Sequence, residues 1–427
     1  MGITLSSRRM AGLAAVLAIA IVSGACSRSP QARSAKYMAE GKKLLAKKDP
    51  ARAILQFRNA AQVTPKDPEV YYQLGVAALA AGDIRQGVLA LRRALDLNPK
   101  HAGAQLRLAE LMTNVSDPEV LKDAKGRLEG VLQDSPQNAD ALHALALTEL
   151  KLGEADDAVQ NLERAVSSAP QELIFAVTLA QAKLSQNDPK GAEAILKKAC
   201  DDFPKSADPI VILGRFYSSQ NRAADAEQQF RRALAMDPNH GAALLNLATL
   251  QMQLGRTADA EQNFKRLSSQ SVATFKPVYA NFLFEQGRRD EAIVEFEKLY
   301  KQDPEDRMSR TRLVAAYRSV NRLPDAQKVL SEALKKNPKD LDALLQRGEL
   351  YLAAGQYTEA EADLNKILHL KPDSPDVHYV LAKLNQARGS SLRQREELTA
   401  ALRLDPRLLQ VRLELAKSLI GDKAAEA

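Results

Sequence analysis

Along most of the chain, apolar residues return at three- and four-residue intervals, the spacing of one face of an α-helix. The stretch 209–238, PIVILGRFYSSQNRAADAEQQFRRALAMDP, shows the unit. Ile210, Leu213, Gly214 and Tyr217 fall on one face of a first helix, and Ser218–Ala224, with Asn221 in its middle, breaks the pattern. Ala226, Phe230, Ala233 and Leu234 form the stripe of a second helix, which Asp237–Pro238 ends. About three turns of isolated amphipathic helix are marginal in water, so neither helix buries its face alone. Gly214 and Ala226 sit where two backbones must come close, and large residues fill the gaps around them. The pattern predicts a helical hairpin that stacks on copies of itself.

The small residue of the second helix recurs as Ala53, Gly87, Ala124, Ala158, Ala192, Ala226, Ala260, Ala292, Ala326 and Ala360, in steps of 34, 37, 34, 34, 34, 34, 32, 34 and 34. The closing proline keeps the beat at Pro65, Pro99, Pro136, Pro170, Pro204 and Pro238, drops out near Val272, and resumes at Pro304, Pro338, Pro372 and Pro406. A step of 34 with Gly/Ala, aromatic and Pro at set offsets resembles the tetratricopeptide repeat family over roughly Ser34–Pro406. The resemblance implies an all-α fold of about eleven hairpins (34–406) in a right-handed superhelix, closed by a capping helix and tail at 407–427. Ser116-Asp117-Pro118-Glu119 reads as a turn lengthened by three residues, which accounts for the step of 37. Ser268–Thr274, where the proline is missing, reads as an irregular loop and as the place for a bend if the array has one. The eleventh hairpin carries Gln394 for the small residue and His378 for a large apolar one, and Leu408–Ile420 reads as the cap, ending at Gly421.

A chain of 427 residues is too long for one ordinary core, and a solenoid resolves this by burying each hairpin on its neighbours. Trp is absent and aromatics are 5%, so the packing is Leu/Ala-rich. The net charge of +7 is concentrated. Residues 27–67 hold Arg28, Arg33, Lys36, Lys42, Lys43, Lys47, Lys48, Arg52, Arg58 and Lys66 against Glu40, Asp49 and Asp67, as much net charge as the whole chain. A basic end rather than a basic stripe argues against nucleic-acid binding. That first hairpin would lie near anionic head groups, or is simply a solvated basic face.

Residues 1–25 read as an export signal: Arg8–Arg9, then the uncharged run Ala11–Val22, too short for the roughly 20 residues a spanning helix needs. Val22-Ser23-Gly24-Ala25-Cys26 resembles the lipobox of bacterial lipoproteins, with Ser23 where that family usually has Leu. The resemblance implies cleavage before Cys26 and lipid on Cys26. With Ser27 rather than Asp following, it implies an outer-membrane lipoprotein facing the periplasm, tethered by residues 26–33. The alternative is ordinary secretory cleavage, with Cys26 an incidental thiol.

Catalytic, metal and cofactor constellations do not emerge. His101, His143, His240, His369 and His378 are scattered without ligand spacing. His101 and His240 fall in inter-repeat turns and read as solvated, and His143, on an inner face, reads as a surface residue. Cys200 reads as a small buried apolar residue, and the recurring glycines as packing positions. These readings predict no enzyme.

What remains is surface. The family resemblance implies a concave groove lined by first helices. In the early repeats it falls on Met38, Lys42, Tyr72, Val76, Leu106, Glu110, His143 and Leu147, and in the middle on Val177, Gln181, Val211, Arg215, Leu245 and Thr249. Asn281, Phe284, Arg318, Leu345, Glu349, Tyr379 and Lys383 continue it. The Lys/Asn/Arg clamp of some chaperone-binding members is absent at the matching stations. The mainly apolar middle suits an amphipathic helix or extended apolar segment of a protein partner; the alternative is that these side chains pack against neighbouring hairpins. The layout resembles periplasmic repeat lipoproteins of pilus, envelope and exopolysaccharide (exosortase) assembly, which implies an interaction scaffold. An adaptor for a cell-wall or glycan-processing enzyme is the alternative.

Overall fold

The computed structural model describes residues 29–425, with side chains described to residue 420. The export signal and Cys26 lie outside the described residues. Among the described residues the regular structure is entirely helical, in two compact units divided after Gln220.

The first unit opens with α1 (Pro30–Ala46), α2 (Pro50–Val63), α3 (Pro68–Ala80), α4 (Ile84–Leu97), α5 (Ala102–Thr113) and α6 (Pro118–Asp134). It continues through α7 (Ala139–Leu152), α8 (Ala155–Ser168), α9 (Leu173–Ser185), α10 (Pro189–Asp202) and α11 (Asp208–Ser219). The second unit holds α12 (Ala223–Met236), α13 (Gly241–Gln253), α14 (Thr257–Ser268), α15 (Val278–Glu285), α16 (Arg289–Gln302) and α17 (Arg307–Ser319). Then come α18 (Leu323–Lys336), α19 (Leu341–Ala353), α20 (Tyr357–Leu370), α21 (Pro375–Ala387), α22 (Ser391–Leu404) and α23 (Leu409–Ala425). Odd-numbered helices are the first helices of the repeats and even-numbered ones the second; within each unit, consecutive helices pack on each other.

Local chemistry sets the ends. Asp67, Asp83, Asp117, Asn138, Asp188, Asp306 and Asp340 cap helices by accepting backbone N–H bonds, and Pro30, Pro50, Pro68, Pro118 and Pro189 occupy first-turn positions where no donor is needed. Most of the turns inside the hairpins use a left-handed residue. Gly82 (φ 81°) and Gly153 (φ 85°) supply it with nothing near a would-be Cβ, and Asn187, Asn221 and Asn321 do the same work. These turn glycines correct the reading of glycine as a packing residue throughout.

Packing follows the repeat. The small residues from Ala53 to Ala360 are buried, as is the large column Phe57, Leu91, Leu128, Leu162, Leu196, Phe230, Phe264, Phe296, Leu330, Leu364 and Leu398. Each fully buried Leu or Phe contributes about 1.5–3 kcal/mol by leaving water. A Cβ on Gly75 would stand 2.9 Å from Leu91 and 3.3 Å from the Gly87 carbonyl, so the α3 and α4 backbones are in close contact there.

Three expectations need correction, while the irregular loop expected after Ser268 is present. Residues 30–33, expected in a tether, belong to α1, since Ser29 caps that helix and Pro30 starts it; Ser34 is buried with its hydroxyl 2.7 Å from that of Thr64. The additional residues of the third repeat mainly lengthen α6, to 17 residues against 14 in α8, because Asp117 and Pro118 start the helix a turn early. The step of 32 shortens α15 to eight residues, and Phe275 in the preceding turn lies against Gly241, where a Cβ would approach the ring to 2.3 Å. Finally, α23 runs through Gly421 to Ala425, since one glycine costs a helix only about 1 kcal/mol.

Candidate protein-binding surface

In the first unit, successive odd helices are joined by polar side chains about one repeat apart. Lys42 Nζ lies 3.3 Å from Glu69 Oε1, and His101 Nε2 lies 3.3 Å from Glu69 Oε2. His101 is no idle solvated residue: its Nδ1 accepts the Ala104 N–H at 3.2 Å and so caps α5, while its ring packs on Tyr72 at 4.9 Å. His240 caps α13 in the same way, accepting from Ala243 at 3.2 Å. Glu110 pairs with Arg107 at 2.7 Å, and the buried hydroxyls of Thr113 and Thr148 stand 2.8 Å apart. His143 is half-buried on α7, its Nε2 3.0 Å from Thr178 Oγ1 and its ring 4.9 Å from Phe175. Since the Thr178 hydroxyl donates to the Ile174 carbonyl, His143 donates through Nε2–H, and burial holds its pKa below 6.5 against the opposing field of Asp140.

The second unit repeats the theme. Gln346 Nε2 donates to Thr311 Oγ1 at 2.9 Å, Arg318 pairs with Glu349 at 3.0 Å, and Arg307 with Asp342 at 3.0 Å, all between α17 and α19. Tyr379 donates to Glu414 at 2.6 Å from α21 to α23, and Lys383 Nζ sits 4.0 Å from the Tyr379 ring centroid. Burial, then the Glu414 hydrogen bond, push the Tyr379 hydroxyl up to about 12.

These contacts sort the residues expected on the groove. Lys42, Gln181 and Arg215 in the first unit, and Leu245, Thr249, Arg318 and Lys383 in the second, are exposed. Met38, Tyr72, Val76, Glu110, His143, Leu147, Val177, Asn281, Phe284, Leu345, Glu349 and Tyr379 are half-buried, several of them packed on the core. Leu106, at 7% exposure, and Val211, at 3%, are corrections: both are spent on packing and offer no open surface. Cys200 is buried, as expected of a small apolar residue. Among the described residues no group of three His, Cys, Asp or Glu side chains is placed to hold a metal ion, and no helix is long and apolar enough to cross a membrane.

The sequence reading missed the polar ladder, whose signal is complementary polar residues roughly one repeat apart, such as Arg318 and Glu349. It also missed a cleft of about 810 Å³ that opens between α4 and α6 and is floored by Leu108, Leu111 and Met112 of α5. Rows of alternating apolar and hydrogen-bonding side chains on stacked helices suit recognition of a protein segment.

Residues 149–209, 219–273, 283–340 and 317–384 match a family model described as tetratricopeptide repeat. Residues 22–160 match one described as cytochrome c-type biogenesis protein H TPR domain. Comparison with curated proteins gives no match. Among solved structures, MamA (41-end) from Desulfovibrio magneticus RS-1 is 24% identical, with 40% of this chain and 94% of that chain covered and a TM-score of 0.35. PilW, titled a widely conserved type IV pilus biogenesis factor, is 16% identical over 52% of this chain and 98% of its own, with a TM-score of 0.45. Yeast Tom70 is 16% identical over 92% and 97%, with a TM-score of 0.39.

Proposed function

This chain belongs to the tetratricopeptide repeat family, and on that premise we propose that it is a non-enzymatic interaction scaffold, lipid-anchored through Cys26, that holds a segment of a partner protein on its odd-helix surfaces. The observation that carries the reading is the set of open positions on those helices, Gln181 and Arg215 in one unit, Leu245 and Thr249 in the other, on helices packed against their neighbours. Fixed helices with open side chains bind without first having to order themselves. The anchor reading rests on Ala11–Val22 followed by Ser23-Gly24-Ala25-Cys26, and Ser27 favours the outer membrane facing the periplasm. A role in envelope assembly or export, of exopolysaccharide/exosortase or pilus type, agrees with the match of residues 22–160 to a domain named for cytochrome c-type biogenesis.

The test is photocrosslinking in native cells from a benzoyl-phenylalanine at Thr249, compared with one at the exposed Gln160 of α8. The expected result is a protein adduct from position 249 alone. Equal adducts from both sites, or none from 249, would overturn the scaffold reading. An adduct with a cell-wall or glycan-processing enzyme would turn it into an adaptor. Separately, Cys26→Ser is expected to release the protein from membranes.

A further inference from the structure

The outer face of the first two repeats differs from that of the three repeats that follow. Leu55 on α2 and Leu89 on α4 occupy the same repeat position and are 55% and 60% exposed, and Ile84, the first residue of α4, is 61% exposed. In the next three repeats that position holds Gly126, Gln160 and Ala194. Packing therefore does not require leucine there. Around these side chains stand the exposed Arg58, Arg85 and Arg92. The adjoining carboxylates have other partners: Asp49 pairs with Arg52, Asp83 caps α4, Asp96 lies 4.0 Å from Arg93, and across the cleft beside Arg92 Glu119 pairs with Lys122 and Asp123 with Arg127.

We propose that this face, the outer sides of α2 and α4, docks on a bilayer containing anionic phospholipid, the leucines entering the acyl boundary and the arginines meeting phosphates. Two arguments select a membrane. Leu55 and Leu89 are exposed on the helix surfaces and Ile84 stands at the edge of the α4–α6 cleft, and a fluid interface accepts such side chains without a pocket shaped for each. Guanidinium groups around them complement a polyanionic surface, as in other basic amphipathic faces. Position agrees. The Ser34–Thr64 hydrogen bond places the start of α1 beside the end of α2, and Cys26 lies three residues before Ser29, a reach of roughly 10 Å. If the lipid-anchor reading holds, an acylated Cys26 tethers the first repeats at the bilayer and so raises the effective concentration of this face there.

The test uses the full chain in a Cys26→Ser background, with Leu89→Cys or, as control, Gln160→Cys carrying a bimane label; Cys200 is buried away from the reagent. Vesicles of phosphatidylglycerol and phosphatidylcholine with brominated acyl chains quench a label that reaches the boundary. The expected result is quenching at position 89 but not at 160, absent from pure phosphatidylcholine. Combining Arg58→Gln, Arg85→Gln and Arg92→Gln is expected to weaken vesicle binding about tenfold to a hundredfold. An unquenched label at 89, whether or not the chain sediments with vesicles, overturns the proposal. So does an acidic protein that shields the label where lipid does not. Retention of Cys26→Ser on cell membranes would overturn the lipid-anchor reading alone, since the vesicle measurement contains no acyl-cysteine.

Discussion

Arg310 occupies the register that Leu244 and Leu344 fill in other repeats, and it is 3% exposed. Its Nη1 donates to Asp340 Oδ2 at 2.9 Å, between side chains only 4% and 7% exposed, while its Nε and Nη2 find no acceptor. Asp340 also caps α19, accepting from the Ala343 N–H at 3.1 Å. Burial works to raise its pKa, but the Ala343 amide and then the Arg310 guanidinium outweigh it, and the carboxyl stays below 3.8. Other repeats fill each of the two positions without charge: Leu344, at the register of Arg310, is fully buried, and Asn138, at the register of Asp340, caps α7 by accepting from Ala141 at 3.1 Å.

This pairing sets up a comparison within one chain. Arg310→Ala leaves a cavity and an unpaired buried carboxylate and is expected to cost about 3–5 kcal/mol. Arg310→Leu with Asp340→Asn combines the leucine found at Leu344 with the amide cap found at Asn138. It keeps the cap, removes two unsatisfied donors and is expected to match wild type or exceed it by about 1–4 kcal/mol. Urea unfolding followed by circular dichroism gives the overall effect. Hydrogen exchange in α17–α20 localises it, which matters because a repeat array need not unfold in one step. A double variant as weak as Arg310→Ala would refute the reasoning, since the pair's attraction would then exceed its desolvation cost. Acid adds a second check. A depressed carboxyl contributes stability above pH 3.8 and loses it as pH falls through the lower folded value, so wild type should lose ground to the double variant in strong acid.

Three further outcomes follow from named contacts. Gly75→Ala drives a methyl toward Leu91 at 2.9 Å and should cost about 1–3 kcal/mol in thermal melts; an unchanged melt would show that Leu91 yields freely. Glu149 is 3% exposed, and burial raises its pKa above 4.5 despite hydrogen bonds from Asn161 and the nearby Lys125, so its ionisation destabilises the fold as pH rises through the carboxylate range. Glu149→Gln, copying the Gln251–Asn263 pair (2.9 Å) of the seventh repeat, should gain about 1 kcal/mol at neutral pH. That gain should vanish below pH 4.5, and one independent of pH would count against burial as its cause. For His143, NMR titration should give a midpoint below 6.5, with stability falling as pH drops through 6.5 because the unfolded chain takes up the proton first; a midpoint at or above 6.5 would contradict the burial argument.

The fold was legible because it is written many times over. Ala53, Ala124, Ala192 and Ala260 each sit where a neighbouring helix leaves no room, and the period averages out local accidents. What stayed hidden was the use made of irregular residues. The residues that lengthen the third repeat looked like loop because Ser116 and Asp117 are turn formers, yet Asp117 is a cap and Pro118 a first-turn residue, and both begin a helix. His101 looked solvated beside Pro99 and Lys100, because a histidine nitrogen serving as a helix cap carries no periodic signal. Leu106 and Val211 were placed on an open face because their spacing fits one; the extent to which the next repeat closes over a position depends on packing between repeats, which spacing does not encode.

The same logic separates packing from function in a repeated chain. Positions that hold a large apolar residue in every repeat, such as the set from Phe57 to Leu398, record what every hairpin needs to stack. Information about this chain alone must reside where neighbouring repeats disagree at an equivalent site. Arg310 among leucines is one such departure, but it is buried against Asp340 and acts on stability. Leu55 and Leu89, against Gly126, Gln160 and Ala194, are another, and they face outward where stability gives no reason for leucine. Burial is therefore the criterion that divides the departures. An outlier turned inward is a defect the core must accommodate, whereas an outlier turned outward, with basic neighbours not already engaged by carboxylates, is a surface shaped by something outside the chain.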